Sequence, residues 1–278
     1  MKRTLVSTIA ILAILALAVP ALAITWGEPD GDAHPNVGTI LLYDPEDGTV
    51  YETCSGTLIH RQVFLTAGHC SIMYEEMLAS GSITLDNLKV SFSSDDAYNP
   101  ATFLPAVGVQ THPDYQWVPQ NNPHDVGVIL LNEADTVGVP LANLPYEGML
   151  DDLKAAGKLN GRHGRAHFTA VGYGALLDFP PPVFLPSGGV RSRAVSEFLA
   201  LRPAWLVLSQ NGSPGQGNGG TCYGDSGGPN FWTEPDGTET IVGITSTGDS
   251  QCVATNTTYR VDLPETLSFI AGVIANLP

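Results

Sequence analysis

Short apolar or alternating runs, cut every few residues by Gly, Pro, Asn or Asp, fill most of the chain. Glycine accounts for 30 and proline for 21 of the 278 residues, and both punctuate strands and turns more readily than they sit inside helices. This is the pattern of an all-β sandwich or barrel. Strands are predicted at 37–43, 56–59, 63–66, 88–92, 126–131, 168–173, 205–209 and 240–245. Segments 63–66 and 126–131 are nearly all apolar, which places them in the interior. One helix is predicted at the end, where Asp262 can cap, Pro264 suits the first turn and Leu267, Ile270, Val273, Ile274 and Leu277 share a face. A shorter helix at 147–156 falls in what reads as the connection between two halves. The Pro-rich stretch 179–186 reads as an extended loop, and no internal sequence repeat is evident.

Residues 1–23 are set apart from the fold. Lys2 and Arg3, the largely apolar run from Leu5 to Val19 and the closing Ala21-Leu22-Ala23 form the charged, apolar and small-residue zones of a secretory signal peptide. The run is short for a membrane span, and Pro20 followed by an A-x-A site favours cleavage. A secreted, extracellular chain starting at Ile24 is expected, with no membrane association after cleavage. The formal net charge is −16, from 28 acidic and 12 basic residues, and loss of Lys2 and Arg3 takes it to −18. Nucleic acid and anionic membrane are poor partners for such a surface, whose plain use is solubility.

Only four cysteines are present, Cys54, Cys70, Cys222 and Cys252, in a chain bound for an oxidising compartment. No zinc-like spacing occurs among them, so two disulfides are expected and no metal. Three pairings are open. Joining near neighbours gives Cys54–Cys70 and Cys222–Cys252, each closing a loop that would contribute about 3 kcal/mol in the chain-entropy description.

The densest chemical signal is Gly224-Asp225-Ser226-Gly227-Gly228-Pro229, a serine among residues that let backbone N–H groups approach a substrate closely. A serine hydroxyl needs a base to take its proton, and histidine suits that at neutral pH. The string also matches G-x-S-x-G, the nucleophile elbow of the α/β-hydrolases, in which the histidine follows the serine. Here no histidine follows Ser226, the last of seven being His167. That leaves catalytic orders in which the histidine comes first. His69 stands in Leu65-Thr66-Ala67-Gly68-His69-Cys70, directly after a buried strand and beside a cysteine that can fix it. Asp125 stands in His124-Asp125-Val126-Gly127-Val128-Ile129-Leu130, at the mouth of an apolar strand where desolvation makes a partner necessary. By itself it reads first as a strand-end or turn aspartate.

Other signals are weaker. His163 and His167 have the i, i+4 spacing of a zinc pair, but Gly161 and Gly164 argue against a helix and no third ligand is near in sequence. Asn211-Gly212-Ser213 and Asn256-Thr257-Thr258 match the glycosylation pattern, meaningful only in a eukaryotic secretory host. His34, His60, His112 and His124 read as surface or satisfied core histidines.

Taken in order, Thr66-Ala67-Gly68-His69-Cys70, His124-Asp125-Val126-Gly127 and Gly224 to Pro229 resemble the three catalytic blocks of the chymotrypsin or trypsin family of secreted serine proteases. The resemblance extends to both near-neighbour cysteine pairs and to Gly243-Ile244-Thr245-Ser246-Thr247-Gly248. It weakens between about 140 and 218, where a third disulfide common in animal relatives is missing and the loop 175–189 is long. It implies two antiparallel six-stranded β-barrels, about 24–140 and 150–262, a C-terminal helix over 263–278, and a cleft between the barrels.

By that resemblance Ser226 is the nucleophile, His69 the general base and Asp125 the group that orients the histidine. The N–H groups of Gly224 and Ser226 form the oxyanion hole. Ser246 lies near Asp125, and Ser246, Thr247 and Gly248 offer backbone to a substrate strand. Ile24-Thr25-Trp26-Gly27 resembles the start of an activated chain, whose ammonium pairs with Asp225. Ala23 rather than Arg or Lys precedes it, so signal peptidase itself is expected to create the activating terminus. Gly220, six residues before the serine, stands at the base of the primary pocket, Thr221 and Tyr223 line its approach and Gly248 leaves its mouth open. An uncharged, apolar or aromatic residue on the acyl side of the cut is therefore expected. The implied protein is a monomeric endopeptidase acting on proteins or peptides through an acyl-enzyme, without a cofactor. Two other readings are a protease-like binding protein that has lost catalysis and an esterase using the same three residues.

Overall fold

The computed structural model describes residues 24–116, 121–161, 164–178, 183–212 and 218–278; segment 1–23, read from sequence as a signal peptide, and His163 lie outside them. Strands β1 (Val37–Tyr43), β2 (Val50–His60), β3 (Val63–Thr66), β4 (Leu88–Ser91), β5 (Leu104–Thr111) and β6 (Gly127–Leu131) close into one barrel. Strands β7 (His167–Gly172), β8 (Ser192–Leu201), β9 (Trp205–Ser209), β10 (Pro229–Thr233), β11 (Glu239–Gly248) and β12 (Thr255–Arg260) close into a second. All pairings within both are antiparallel, as expected for a chymotrypsin-like fold.

The first barrel runs β1-β2-β3-β6-β5-β4 and returns to β1, with Thr39 opposite Ser91. The second runs β7-β8-β9-β12-β11-β10 and returns to β7, with Thr169 opposite Phe231. Each strand thus has a counterpart six places on, although the two halves share no evident sequence repeat. Closure asks only for inward apolar alternation and a consistent stagger, which unrelated side chains can supply.

One apolar cluster crosses from barrel to barrel: Val37, Phe64 and Val126 of the first half are continuous with Val171, Phe231 and Tyr259 of the second. A smaller cluster fills the second barrel, where Phe168, Phe198 and Val242 meet Leu150 of α2 (Met149–Ala155), a helix with Met149, Leu150 and Leu153 buried. The apolar strands β3 and β6 are indeed interior, with all of β3 buried. Helix α3 (Pro264–Ala275) packs through Ile270 and Val273. Among the described residues no helix is long and apolar enough to cross a membrane.

Some expectations need correction. The residue capping α3 is Leu263, not Asp262. The carboxylate of Asp262 instead accepts the Leu150 amide at 2.8 Å and pairs with Arg260 at 2.9 Å, tying the connection helix to the barrel wall. Residues 183–185 of the Pro-rich stretch pair with 176–178 as a hairpin instead of running unpaired. Asn256 is fully buried and donates to Asn230 at 2.9 Å, so the folded chain cannot present it for glycosylation. Helix α1 (Gly68–Ser80) was not foreseen: its N-cap Ala67 offers no side-chain bond. A helix anchored by a disulfide and by tertiary packing needs neither a cap signal nor a clean apolar stripe.

Candidate active site

His69 enters the site at the start of α1, one residue before the Cys54–Cys70 disulfide that fastens this helix to β2. Its backbone N–H donates to Asp125 Oδ1 at 2.8 Å, and its ring Nδ1 lies 3.2 Å from Oδ1 and 3.1 Å from Oδ2 of the same carboxylate. Because an ionised carboxylate only accepts, the Nδ1 facing it carries the proton. Ser246 of β11 donates its hydroxyl to Oδ2 from the opposite barrel. Burial alone would raise the Asp125 carboxyl, but the bonds from His69 and Ser246 outweigh it and hold the group below the usual aspartate range. His124, next in sequence, takes a left-handed φ of 52° and stacks its ring on His112, so its neighbour is an imidazole rather than the carboxylate.

Ser226 sits in a loop pinned to both barrels. Its carbonyl accepts the Ser55 amide of β2 at 2.8 Å, while Gly227 donates to Thr245 of β11 at 2.8 Å. Its half-buried side chain lines two cavities, and His69 lines the same two. Gly224 has φ +98°, and a Cβ there would lie 2.9 Å from Gly174 Cα, so only glycine fits without strain. Among the described residues neither the Gly224 amide nor the Ser226 amide is given to an acceptor within the protein.

Asp225 is wholly buried, and its two carboxylate oxygens accept the amides of Gly174 and Cys222, each at 2.8 Å. Burial pushes this carboxyl up to about 7, only partly offset by those amides. Ile24 is also buried, and Thr25 next to it bridges to Gly220. Among the described residues no ion pair joins Ile24 to Asp225. In the uninterrupted chain the Ile24 nitrogen is a peptide nitrogen without charge.

The smaller cavity, about 300 Å³, is lined by Thr221, Tyr223, Ser246, Thr247 and Gly248, beside the Cys222–Cys252 disulfide. Gly220 is not part of that lining; it lies against Gln210, whose Oε1 would be 2.1 Å from a Cβ at 220. Asp249 and Ser250 also line it and carried no signal in sequence. The Asp249 carboxylate is occupied by the amides of Val253, Ala254 and Thr255. A Cβ on Gly248 would lie 2.5 Å from the Thr255 carbonyl, so glycine there serves the β11–β12 approach. The larger cavity, about 660 Å³, reaches from Ser226 across the Cys54–Cys70 disulfide to Glu52, Tyr98 and Ser187. None of those three stands in a sequence motif, and they come from separate segments of the chain.

One grouping among the described residues has metal-like spacing, Cys54, His69 and Cys70. Both sulfurs belong to the disulfide, leaving no thiolate to bind an ion.

No family model matches the chain. The chain is 25% identical over 269 residues to the CLIP domain-containing serine protease B15 of Anopheles gambiae, an alignment covering 87% of this chain and 68% of that protein. With two closed six-stranded barrels joined by one core, the chain has a chymotrypsin-like fold, and over most of its length it is similar to a serine protease.

Proposed function

We propose that the chain is a secreted serine endopeptidase that cuts peptide bonds through an acyl-enzyme on Ser226. The observation that carries this reading is the Asp125 carboxylate, held against His69 Nδ1 at 3.1 Å while His69 and Ser226 line the same cavities. With Nδ1 committed to Asp125, Nε2 is the ring nitrogen left to take the serine proton. The serine oxygen attacks the scissile carbonyl, and the amides of Gly224 and Ser226 receive the developing oxyanion. His69 then passes its proton to the leaving amine, and water repeats the sequence to release the acyl group. Asp125 stays ionised throughout, compensating the imidazolium that forms beside it.

On this reading the edge of β11 from Ser246 to Gly248 pairs with the acyl side of the substrate, and the cavity beside Cys222–Cys252 receives its side chain. The Asp249 carboxylate is already bound to three backbone amides, which favours an uncharged, apolar or aromatic occupant. Cleavage before Ile24 frees an ammonium that neutralises buried Asp225, so removal of the leader and activation are one event.

The test is labelling with a serine-directed phosphonate, alongside hydrolysis of casein and of short esters. The expected result is stoichiometric labelling lost in Ser226→Ala, with casein cut. Ester turnover without casein cleavage marks an esterase. Neither labelling nor turnover, in a chain whose N-terminus is Ile24, marks a binding scaffold.

A further inference from the structure

The larger cavity beside Ser226 has one carboxyl group in its lining. Glu52 of β2 lines it, with Oε2 accepting the hydroxyls of Tyr98 and Ser187, the latter at 2.7 Å. Among the described residues Oε1 has no bonded donor, and it lies 3.0 Å from where a Cβ on Gly224 would be. Much of the rest of its lining is apolar, with Met73, Ala175, Pro186 and the Cys54–Cys70 disulfide beside Tyr51 and Tyr223. Those two tyrosines are 62% and 59% exposed. A largely apolar cavity with one carboxyl group in its wall suits a long aliphatic stem that carries a cation at its tip.

The place of this cavity follows from the proteolytic reading, on which the inference rests. The acyl side occupies the β11 edge and the Cys222–Cys252 cavity, so the cavity across Ser226 from it receives the leaving-group side. We propose that Glu52 is a specificity residue, selecting a lysine or arginine within the first two residues after the scissile bond. A carboxylate half out of water, with one oxygen unbonded, gains most from a fixed cation. Burial pushes Glu52 up to about 7, and nearby Asp225 adds to the rise. The other titratable groups on this cavity are Tyr98, Tyr51, Tyr223 and His69.

The experiment uses peptides with one fixed acyl side and either lysine or norleucine at the first or second position after the cut. Norleucine keeps the stem and removes the ammonium. At about pH 8 the kcat/KM for lysine should exceed that for norleucine about tenfold at one of the two positions, and Glu52→Gln should bring the ratio within about twofold. Glu46→Gln, an exposed site on the β1–β2 turn, removes the same charge and should leave the ratio intact, separating local recognition from long-range attraction. A wild-type ratio near one, or a ratio untouched by Glu52→Gln, overturns the assignment. If Glu52→Gln does not fold, the wild-type ratio carries the test: it should fall toward one as pH drops to about 5, His69 acting equally on both peptides. A ratio that does not fall overturns the assignment as well. Phosphonate labelling with no discrimination between the peptides sinks Glu52 alone; absence of both labelling and cleavage sinks the proteolytic reading beneath it.

Discussion

Ser246 donates its hydroxyl to the same Asp125 oxygen that faces His69 Nδ1, so a residue of the second barrel sets the orientation of a carboxylate carried by the first. The alignment of the site therefore depends on how the barrels seat against one another. Ser246→Ala should leave the His69 bonds in place but remove one restraint and one stabilising donor from Asp125. The expected loss in kcat is about tenfold or less, with KM little changed. Asp125→Asn presents an amide to the imidazole and disrupts its tautomer. The same change in the archetypal triad costs about 10⁴, and a comparable loss is expected here. Steady-state kinetics on both variants, with phosphonate titration to count sites, checks the ranking.

Asp225 makes the uncut chain sensitive to pH. Its carboxyl is raised by burial to about 7, and Glu52 is raised in the same direction. A raised acid holds its proton longer in the folded chain than in the unfolded one. Its folded state is therefore favoured below the ordinary carboxyl range and loses ground as pH climbs toward 7, by at most about 1.4 kcal/mol per pH unit for each group. Chain still carrying residues before Ile24, in a Ser226→Ala background that prevents self-cleavage, should melt at lower temperature at pH 7.5 than at pH 5. Asp225→Asn should reduce that slope, as should a chain whose free Ile24 ammonium supplies the missing cation. Thermal melts of the three forms across this range decide it, and equal slopes would contradict the neutralisation of Asp225.

The Cys54–Cys70 disulfide spans 16 residues and fixes the first turn of α1 to β2. Replacing both cysteines by serine should cost about 3 kcal/mol of stability in urea unfolding. Labelling of Ser226 by the phosphonate should slow beyond what the unfolded fraction explains, because His69 is adjacent to the lost anchor. Normal labelling by the folded fraction would mean that Asp125 alone holds the histidine.

Where the sequence could be read, one interaction dominated. Strands β1, β3 and β9 coincide with their predicted bounds because their apolar residues face a core and turn residues close both ends. Strand β12, Thr255–Arg260, was invisible because Asn256, Thr258 and Arg260 are buried polar residues satisfied by hydrogen bonds that no local pattern announces. The site divides in the same way. His69, Asp125 and Ser226 of the candidate site stand in short motifs whose order carries information. Glu52, Tyr98 and Ser187 come from three separate segments, and only the folded chain shows that they share a cavity.

Arg191 shows how much of the joint between the barrels is polar. It is 1% exposed, and its guanidinium donates to Asp30 at 2.8 Å, to the carbonyls of Val37 and Phe92 at 3.0 Å each, and to the Gly31 carbonyl. Val37 opens β1 and Phe92 follows β4, whereas Arg191 immediately precedes β8, so one side chain bonds both barrels. Asp30 in turn holds His34, and although burial opposes it, these partners keep its carboxyl below the ordinary range. Arg191→Met removes the guanidinium and leaves buried Asp30 with only its His34 contacts, which should cost about 3–5 kcal/mol. Arg191→Lys should recover little, since an ammonium cannot reach four diverging acceptors as a planar fork does. Arg191→Met with Asp30→Asn should recover part, because the buried charge is gone although the carbonyls stay unpaired. Arg193→Met, at the exposed pair with Glu28, should change stability by no more than about 0.5 kcal/mol. Urea unfolding of these variants on Ser226→Ala measures the series. If Arg191→Met were as mild as Arg193→Met, the buried guanidinium would not be what holds the two barrels in register.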